Sequence, residues 1–195
     1  ALHDKLPYDP VADFSPLSVL VEVPNIVIVN PSVPARTVKE LIAHAMANPG
    51  KLNYGSAGNG SSQHLAGELF SKMANVKMVH VPYKSGPAAV ADLVAGQVQL
   101  TFGSSSALPM VRAGKLIALA VTTPKRVGSL PDLPTVSEAA LPGYAASAWY
   151  IMLAPARTPK AMMDKVQAET VRALRMPDVQ QKLAVASIEV VGSSS

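Results

Sequence analysis

Apolar residues fall into short blocks along the chain, separated by segments with helical periodicity. The longest block, residues 17–30, predicts one long strand region with a kink at Pro24. Its lack of polar alternation, shared by residues 117–121, indicates strands that are buried on both faces. Other short apolar runs bounded by turn residues predict strands at residues 52–54, 78–83, 99–102, 116–121, 148–154 and 188–191.

Helices are predicted between these strands. Thr37 and Glu40 have the spacing of a capping box, and Thr135 and Glu138 repeat it. A helix over about residues 62–73 carries Leu65, Leu69 and Met73 on one face. Further helices are predicted at residues 87–94, at 107–113, from 158 to a break at Pro177, and after that break. The helix from residue 158 is predicted to turn four apolar side chains inward, namely Met163, Val166, Val171 and Leu174.

The order of these elements is βαβαβαβ with short connections. This order predicts an α/β fold whose mostly parallel sheet is covered on both faces. In such sheets a ligand binds at the carboxyl ends of the strands. The strand regions 17–30 and 148–154 flank the βα units, so each is a candidate hinge between two lobes.

Composition narrows the possible functions. The 195 residues are 49% hydrophobic and 15% charged, which is a globular composition. The mean hydropathy of +0.24 is high, but Glu22 and Pro24 interrupt the longest apolar block, so no membrane span is predicted. A net charge of +4 is dispersed along the chain, which argues against nucleic-acid binding and suits a small anion. The absence of cysteine excludes disulfides and thiolate chemistry.

The strongest local signal is NYGSAGNGSSQH at residues 53–64, where a strand leads through glycines and serines into a helix. Backbone N–H groups at a helix N-terminus attract anions, and glycines allow close approach. The segment lacks the lysine of a phosphate loop and the spacing of a dinucleotide-binding turn. A carboxylate held by neutral donors fits better. The alternative is a glycine-rich turn that Ser61 caps and that binds nothing.

At this segment the sequence resembles a known family. The runs GSAGNGSSQHLAGELF, VHVPYKSGPAAVADLVAGQVQLTF and AGKLIALAVTTPKRVGSLPDLPTVSEAALPGY are similar to the Bug (TctC) receptors of tripartite tricarboxylate transporters. The resemblance covers nearly the whole chain. It implies a type II periplasmic binding protein-like fold and a periplasmic receptor without catalytic activity or cofactor. Its partners would be a small mono- or dicarboxylate and the membrane permease subunits of the transporter.

The resemblance also implies how the chain is divided. Residues 24–145 correspond to the complete second lobe, and residues 1–23 and 146–195 to part of the first lobe. On this interpretation the chain is truncated at both ends relative to the family. Because burial offsets the entropy lost on folding, the chain alone is expected to be marginally stable, to associate, or to be a partial record of a longer protein.

The family pattern places six ligand-binding residues along one wall of the pocket: Ser56, Gly58, Gly60, Ser61, Ser62 and His64. Tyr83 is expected to close the cleft, and Gly103 and Ser104 to end the next strand there. Family members often have an acidic residue where this chain has Gly103, which favours a plain carboxylate over an amino acid. Ser147 is a weaker candidate, and Trp149 is expected to serve in core or hinge packing.

Two other functions remain open from the residues. Effector domains of LysR-type regulators share the fold class and would also bind a small ligand. A serine hydrolase is less favoured: Ser61 and His64 lie three residues apart, but no acid completes a triad.

The four histidines do not have the spacing of a metal site. His80 is predicted to be a hydrogen-bonded core residue and His44 to lie on the surface. For His64, packing under the loop and a hydrogen bond that holds the serines are both possible.

Overall fold

A computed structural model describes residues 6–193 of the protein. Within them the strands are β1 (Phe14–Val23), β2 (Ile26–Val29), β3 (Asn53–Ser56), β4 (Val79–Pro82), β5 (Leu100–Gly103), β6 (Ile117–Val121), β7 (Ala148–Pro155) and β8 (Glu189–Val190). The helices are α1 (Val38–Ala47), α2 (Ser62–Ala74), α3 (Gly86–Val94), α4 (Leu108–Arg112), α5 (Val136–Ala139), α6 (Lys160–Leu174) and α7 (Pro177–Val185), with a 3-10 turn at Ser105–Ala107. The predicted elements are present in the predicted order, except that one predicted strand region is divided into two strands.

The described residues form two compact units. The larger unit is Pro24–Ala148, and the smaller unit consists of the described residues on either side of it. The predicted single strand region 17–30 is in fact two strands, because Pro24 and Asn25 separate β1 from β2 and the two strands belong to different sheets. Proline lacks the N–H that a continuous ladder would need at this point.

The larger unit is built on a five-stranded sheet with the order β4-β3-β5-β2-β6. β3 pairs in parallel with both β4 and β5, and helical crossovers connect these strands. β2 is antiparallel to both of its neighbours, β5 and β6. The expectation of a mostly parallel sheet holds for four strands, which run in one direction, and fails for β2.

Two hydrophobic clusters cover the two faces of this sheet. β2 contributes Val27 and Val29 to one cluster and Ile26 and Ile28 to the other. All four side chains are fully buried, so the prediction of a strand buried on both faces is confirmed for β2. Both predicted capping boxes are also present, at the starts of α1 and α5.

Helix α2 packs mainly through small residues and Phe70, and of its predicted apolar face only Leu69 is half-buried against the core. Its buried residues are Gln63, Ala66, Gly67, Phe70 and Ala74, whereas Leu65 is 52% exposed and Met73 is also exposed. Gly67 lies against the ring of Tyr54: a Cβ at this position would be 2.4 Å from Tyr54 Cε2. The small residues therefore form the buried face because they let the helix approach β3 closely.

The smaller unit has a three-stranded sheet with the order β7-β1-β8, and α6 packs on β1. The prediction that residues 148–154 form a buried strand is wrong, since Trp149, Tyr150, Ile151 and Leu153 are exposed in β7. Trp149, expected in core or hinge packing, is 61% exposed. Within residues 6–193, β7 lies at the edge of this sheet and pairs with β1 alone.

On α6 the predicted inward face is partly correct. Met163, Val171 and Leu174 are half-buried, but Val166 is exposed. The shielded stripe instead includes Gln167 and Thr170, whose hydroxyl contacts the sulfur of Met152 on β7 at 3.7 Å. Polar side chains can share such a stripe because α6 has no fully buried position.

Candidate functional site

The candidate site lies at one edge of the five-stranded sheet. β3 ends there at Ser56 and β5 at Gly103, and Gly103 is paired with Ile26, the first residue of the antiparallel strand β2. Ile26 is also paired with Val121, the last residue of β6. The carboxyl ends of these strands, where a ligand was expected, therefore meet the residues that precede β2.

Residues 57–61 connect β3 to α2, and Ser61 caps the helix. Ser61 Oγ accepts the backbone N–H of His64 at 3.2 Å and donates to Gly58 O at 2.8 Å. Gly58 and Gly60 adopt positive φ angles of 113° and 78°, which glycine takes without a steric penalty. The helix cap foreseen in the sequence is thus present, and the turn has a defined shape.

Several N–H groups of this turn already have acceptors. Ala57 N donates to Gln63 Oε1 at 2.9 Å, Gly58 N to Ser56 Oγ at 3.1 Å, and Gly60 N to His64 Nδ1 at 3.0 Å. Ser61 N donates to Gly58 O at 3.2 Å. Within residues 6–193, the N–H groups of Asn59, Ser62 and Gln63 have no acceptor. The donors open to a ligand are therefore fewer than the sequence suggested.

The three serines of the segment have different surroundings. Ser56 is fully buried, and its hydroxyl lies 2.6 Å from His80 Nε2. Ser61 is occupied by the cap described above. Ser62 is partly exposed and donates to Asn25 Oδ1 at 3.4 Å. Ser62 is accordingly the serine that combines an unpaired backbone N–H with an accessible hydroxyl.

Asn25 was not among the residues predicted from the sequence. Its side chain is buried beside the start of α2 and donates to Ala146 O at 3.2 Å, in addition to accepting from Ser62. Its backbone N donates to Thr122 Oγ1 at 3.1 Å, and Thr122 N donates back to Asn25 O at 2.9 Å. Asn25 therefore joins β2, the end of β6 and α2. The polar break Pro24-Asn25 between two apolar strands was the signal that could have identified it.

Substitution of Asn25 by alanine should destabilise the larger unit. The variant leaves the partly buried carbonyl of Ala146 without this donor, and such a loss costs about 1–3 kcal/mol. Urea unfolding monitored by circular dichroism measures the change. Asn59→Ala is the matched control, because Asn59 is exposed and its change should stay within about 0.5 kcal/mol. Equal stability of the two variants would contradict the structural role of Asn25.

Tyr83 and Gly103, which were also predicted as ligand-binding residues, lie near the same edge of the five-stranded sheet. Tyr83 N donates to Ser56 O at 3.0 Å, but the Tyr83 hydroxyl donates to Asp92 on α3 at 2.8 Å. Burial, followed by the hydrogen bond to Asp92, raises the pKa of Tyr83 to about 12. A Cβ on Gly103 would lie 3.2 Å from Thr101 Cγ2 and 3.4 Å from Ile28 Cδ1.

Ser104 and the two weaker candidates complete the set. Ser104 Oγ lies 2.9 Å from Ser106 Oγ in the 3-10 turn that follows β5. Ser147 immediately precedes β7, and Trp149 belongs to the smaller unit. The structure thus groups Ser56 to His64 with Tyr83 and adds Asn25 to them.

Ser61 and His64 do not form a catalytic pair at this turn. Ser61 Oγ contacts the backbone of His64 and not its ring, so these residues do not form a nucleophile and base. Among the described residues no group of three or more His, Asp or Glu side chains could hold a metal ion. No helix in that part of the chain is long and apolar enough to cross a membrane.

A separate surface cleft of about 490 Å³ occurs in the larger unit. It is lined by residues that include Arg36, Arg126 and Glu138, and by none of the predicted site residues. Arg126 Nε is paired with Glu138 Oε2 at 2.9 Å, and Arg36 donates to three backbone carbonyls. Of the cleft's three cationic side chains, Arg126 is already paired and Arg36 is hydrogen-bonded, whereas Lys39 is exposed.

The sequence and the fold were compared with those of known proteins, and both comparisons find the same family. A family model described as "Tripartite tricarboxylate transporter family receptor" matches residues 1–195. A curated relative, the UPF0065 protein in the tcbD-tcbE intergenic region of Pseudomonas sp. (strain P51), is 37% identical over 194 residues. That alignment covers 98% of this chain and 58% of the relative.

Two solved structures are similar over almost the whole chain. R. palustris Rpa4515, solved with adipate, has a TM-score of 0.86 and 37% identity, and the match covers 98% of this chain and 64% of that one. MatC (Rpa3494) from Rhodopseudomonas palustris, with bound malate, has a TM-score of 0.81 and 32% identity, covering 97% and 65%. The α/β fold is that of periplasmic binding proteins, and this chain spans about two thirds of the length of these two.

Proposed function

The chain belongs to the tripartite tricarboxylate transporter receptor family, and from that membership we propose that it captures a small carboxylate in the periplasm and presents it to a membrane permease. Members of this family are solute-binding receptors and not enzymes, in agreement with the sequence prediction. The resemblance read from the residues 53–64 segment and its neighbours is confirmed by the family match.

The observation that carries this proposal is the pair of unpaired N–H groups at Ser62 and Gln63. They are the first two helical residues of α2, a 13-residue helix, so the helix dipole reinforces their attraction for a negative group. The Ser62 hydroxyl lies beside them. Two unpaired backbone donors at a helix N-terminus are suited to one carboxylate, and the Ser62 hydroxyl could add a third donor by giving up its long hydrogen bond to Asn25 Oδ1. Residues 53–64 contain no lysine or arginine that would favour a phosphate.

A dicarboxylate is the favoured ligand class within this proposal. Two of the similar structures were solved with adipate and with bound malate, and both of these molecules are dicarboxylates. We further propose that the two compact units correspond to the two lobes, with residues 24–145 as one lobe and the flanking segments as part of the other.

The two alternative functions have less support. The Ser61–His64 arrangement of a hydrolase is absent, because Ser61 caps the helix through its hydroxyl. The family match over the whole chain favours a transport receptor over the effector domain of a transcriptional regulator.

Replacing Ser62 by proline tests the carboxylate site. Proline is favoured at the first helical position, and the extended conformation of Ser61 (φ −62°, ψ 157°) is the one that a following proline requires. The change removes the N–H and the hydroxyl while α2 stays intact. Loss of a hydrogen bond to a charged group costs about 1.5–3 kcal/mol. We therefore expect the Kd for adipate or malate, measured by calorimetry, to rise roughly tenfold to a hundredfold.

The matched control is Ser62→Ala, which removes the hydroxyl and keeps the N–H. Its effect on binding should be clearly smaller, and the melting temperature of the two variants should agree closely. Equal affinities in the proline and alanine variants would exclude this N–H as a ligand donor. If a screen of mono- and dicarboxylates produced no thermal stabilisation of the native protein, the proposed function would be wrong.

A further inference from the structure

Two histidine rings are stacked against the turn that leads into α2. The ring centroids of His64 on α2 and His80 on β4 are 4.0 Å apart, and the ring planes differ by 17°. Both side chains are partly buried. His80 is hydrogen-bonded as predicted, but it lies on the edge strand β4, where its burial is only partial.

Each ring is attached to one residue of the turn. His64 Nδ1 lies 3.0 Å from the backbone N of Gly60, and His80 Nε2 lies 2.6 Å from Ser56 Oγ. His64 is also bound through its own N–H to the capping hydroxyl of Ser61. The ring of His64 therefore holds Gly60, and its backbone N–H holds Ser61. This resembles a capping box, in which the side chain of the third helical residue accepts a hydrogen bond from the backbone before the helix.

The contact with Gly60 determines where His64 carries its proton. A backbone N–H can only donate, so Nδ1 must be the unprotonated acceptor, and the neutral ring is protonated at Nε2. That Nε2 lies 3.9 Å from the carboxylate of Glu68. The contact between His80 and Ser56 is different, because a hydroxyl can either donate or accept and so persists in both protonation states of the ring.

The other titratable groups around the pair are Tyr54 on β3 and Glu68 on α2. The Tyr54 ring lies 5.0 Å from the His80 ring, and the Tyr54 hydroxyl donates to Glu68 Oε1 at 2.5 Å. Burial and, after it, the neighbouring His64 lower the pKa of His80, while Glu68 acts in the opposite direction. His80 therefore presents a neutral ring to His64 near neutral pH, and the stack is not held apart by two charges.

We propose that His64 is a positioning residue for carboxylate binding, and that the turn keeps its binding shape only while His64 Nδ1 is unprotonated. This inference rests on the proposed function. Once Nδ1 gains a proton, it faces the N–H of Gly60 as a second donor and the contact is lost. The turn that presents the N–H groups of Ser62 and Gln63 then loses one of its supports. The affinity for the carboxylate should therefore fall as the pH falls. If protonated His64 acted only by attracting the anion, the affinity would instead rise as the pH falls.

The pH dependence of affinity tests this sign. Calorimetric titration with adipate or malate from about pH 8 to about pH 6 covers the range in which histidine commonly titrates and carboxyl groups remain largely ionised. We expect the Kd to increase roughly three- to tenfold toward the lower pH, because a proton on Nδ1 removes the acceptor of the Gly60 N–H. A Kd that stays constant or decreases toward pH 6 would overturn the proposal.

His64→Gln separates positioning from packing. Glutamine at the third helical position can accept an N–H through its amide oxygen and does not titrate. The variant should therefore have a flat pH profile of affinity, whatever its affinity at pH 8. His44→Gln on α1 is the control and should keep the slope of the wild type, because its ring contacts Asn48 and not the turn. A wild-type slope in His64→Gln would contradict the assigned role.

A ligand-free measurement distinguishes this inference from the proposed function. In nuclear magnetic resonance spectra the Gly60 N–H signal should shift with the same midpoint as the His64 ring. If it does so and no carboxylate binds, the proposed function fails while the dependence of the turn on His64 stands. If carboxylates bind but the Gly60 signal does not follow His64, the inference fails and the proposed function is retained.

Discussion

Replacement of Phe70 by alanine is expected to lower the free energy of unfolding by about 3–5 kcal/mol. Phe70 is fully buried on α2, and its ring lies 5.6 Å from that of Phe102 and 6.2 Å from that of Tyr144. Alanine would leave a cavity between α2, β5 and the segment before β7, and these neighbours are themselves too tightly packed to fill it. Urea unfolding, followed by circular dichroism, measures the loss.

Leu65→Ala on the same helix is the control for this prediction. Leu65 is 52% exposed, so its truncation should change the free energy of unfolding by no more than about 0.5 kcal/mol. The sequence pattern alone predicts the reverse order, because Leu65 belongs to the regular apolar repeat of α2. A larger loss at Leu65 than at Phe70 would show that α2 is packed through its leucine face.

Replacement of Gly67 by valine should also be strongly destabilising, by about 3 kcal/mol, near the upper end of the usual range for overpacked cores. The first added carbon would lie 2.4 Å from Tyr54 Cε2 and 2.7 Å from Tyr54 Cζ. The Tyr54 ring cannot withdraw, because it is fully buried, lies against Phe102 and His80, and is tethered through its hydroxyl to Glu68. The helix itself would have to move away from β3.

Gly128→Val provides a matched comparison for Gly67→Val. No atom lies within 4 Å of a Cβ at Gly128, and its φ is outside the left-handed region. The same substitution there should leave the midpoint of thermal unfolding nearly unchanged. Similar midpoints for the two variants would mean that α2 and β3 are not in the close contact described here.

The resemblance to the receptor family could be read from the sequence because its motifs are contiguous runs of residues. Elements that depend on neighbours in the chain were likewise predicted well. The capping boxes at Thr37 and Thr135 need only a residue three positions further on, and both are formed. The turn from β3 into α2 was also foreseen, since glycines and a capping serine specify such a turn locally.

Features that depend on distant residues could not be predicted in this way. The direction of β2 is set by its pairing with β5 and β6, far along the chain, and not by its own residues. The buried face of α2 is chosen by the Tyr54 ring, which accepts a glycine and excludes larger side chains. A periodicity argument relies on large apolar residues and gives little weight to glycine and alanine. It therefore indicated the face of Leu65 and Met73, which is largely exposed, and not the face of Ala66 and Gly67, which is buried.

In the candidate site, too, some features follow from neighbouring residues and others depend on distant ones. The sequence by itself determined the family, the α/β class and the segment from Ser56 to His64 as the place to look. Only the tertiary structure decided which donors in that segment remain free, because the acceptors that occupy the others are fixed by folding of the turn onto α2. It also decided that Asn25 and His80 support the segment. Those contacts join residues 37 and 24 positions apart, and no local pattern encodes them.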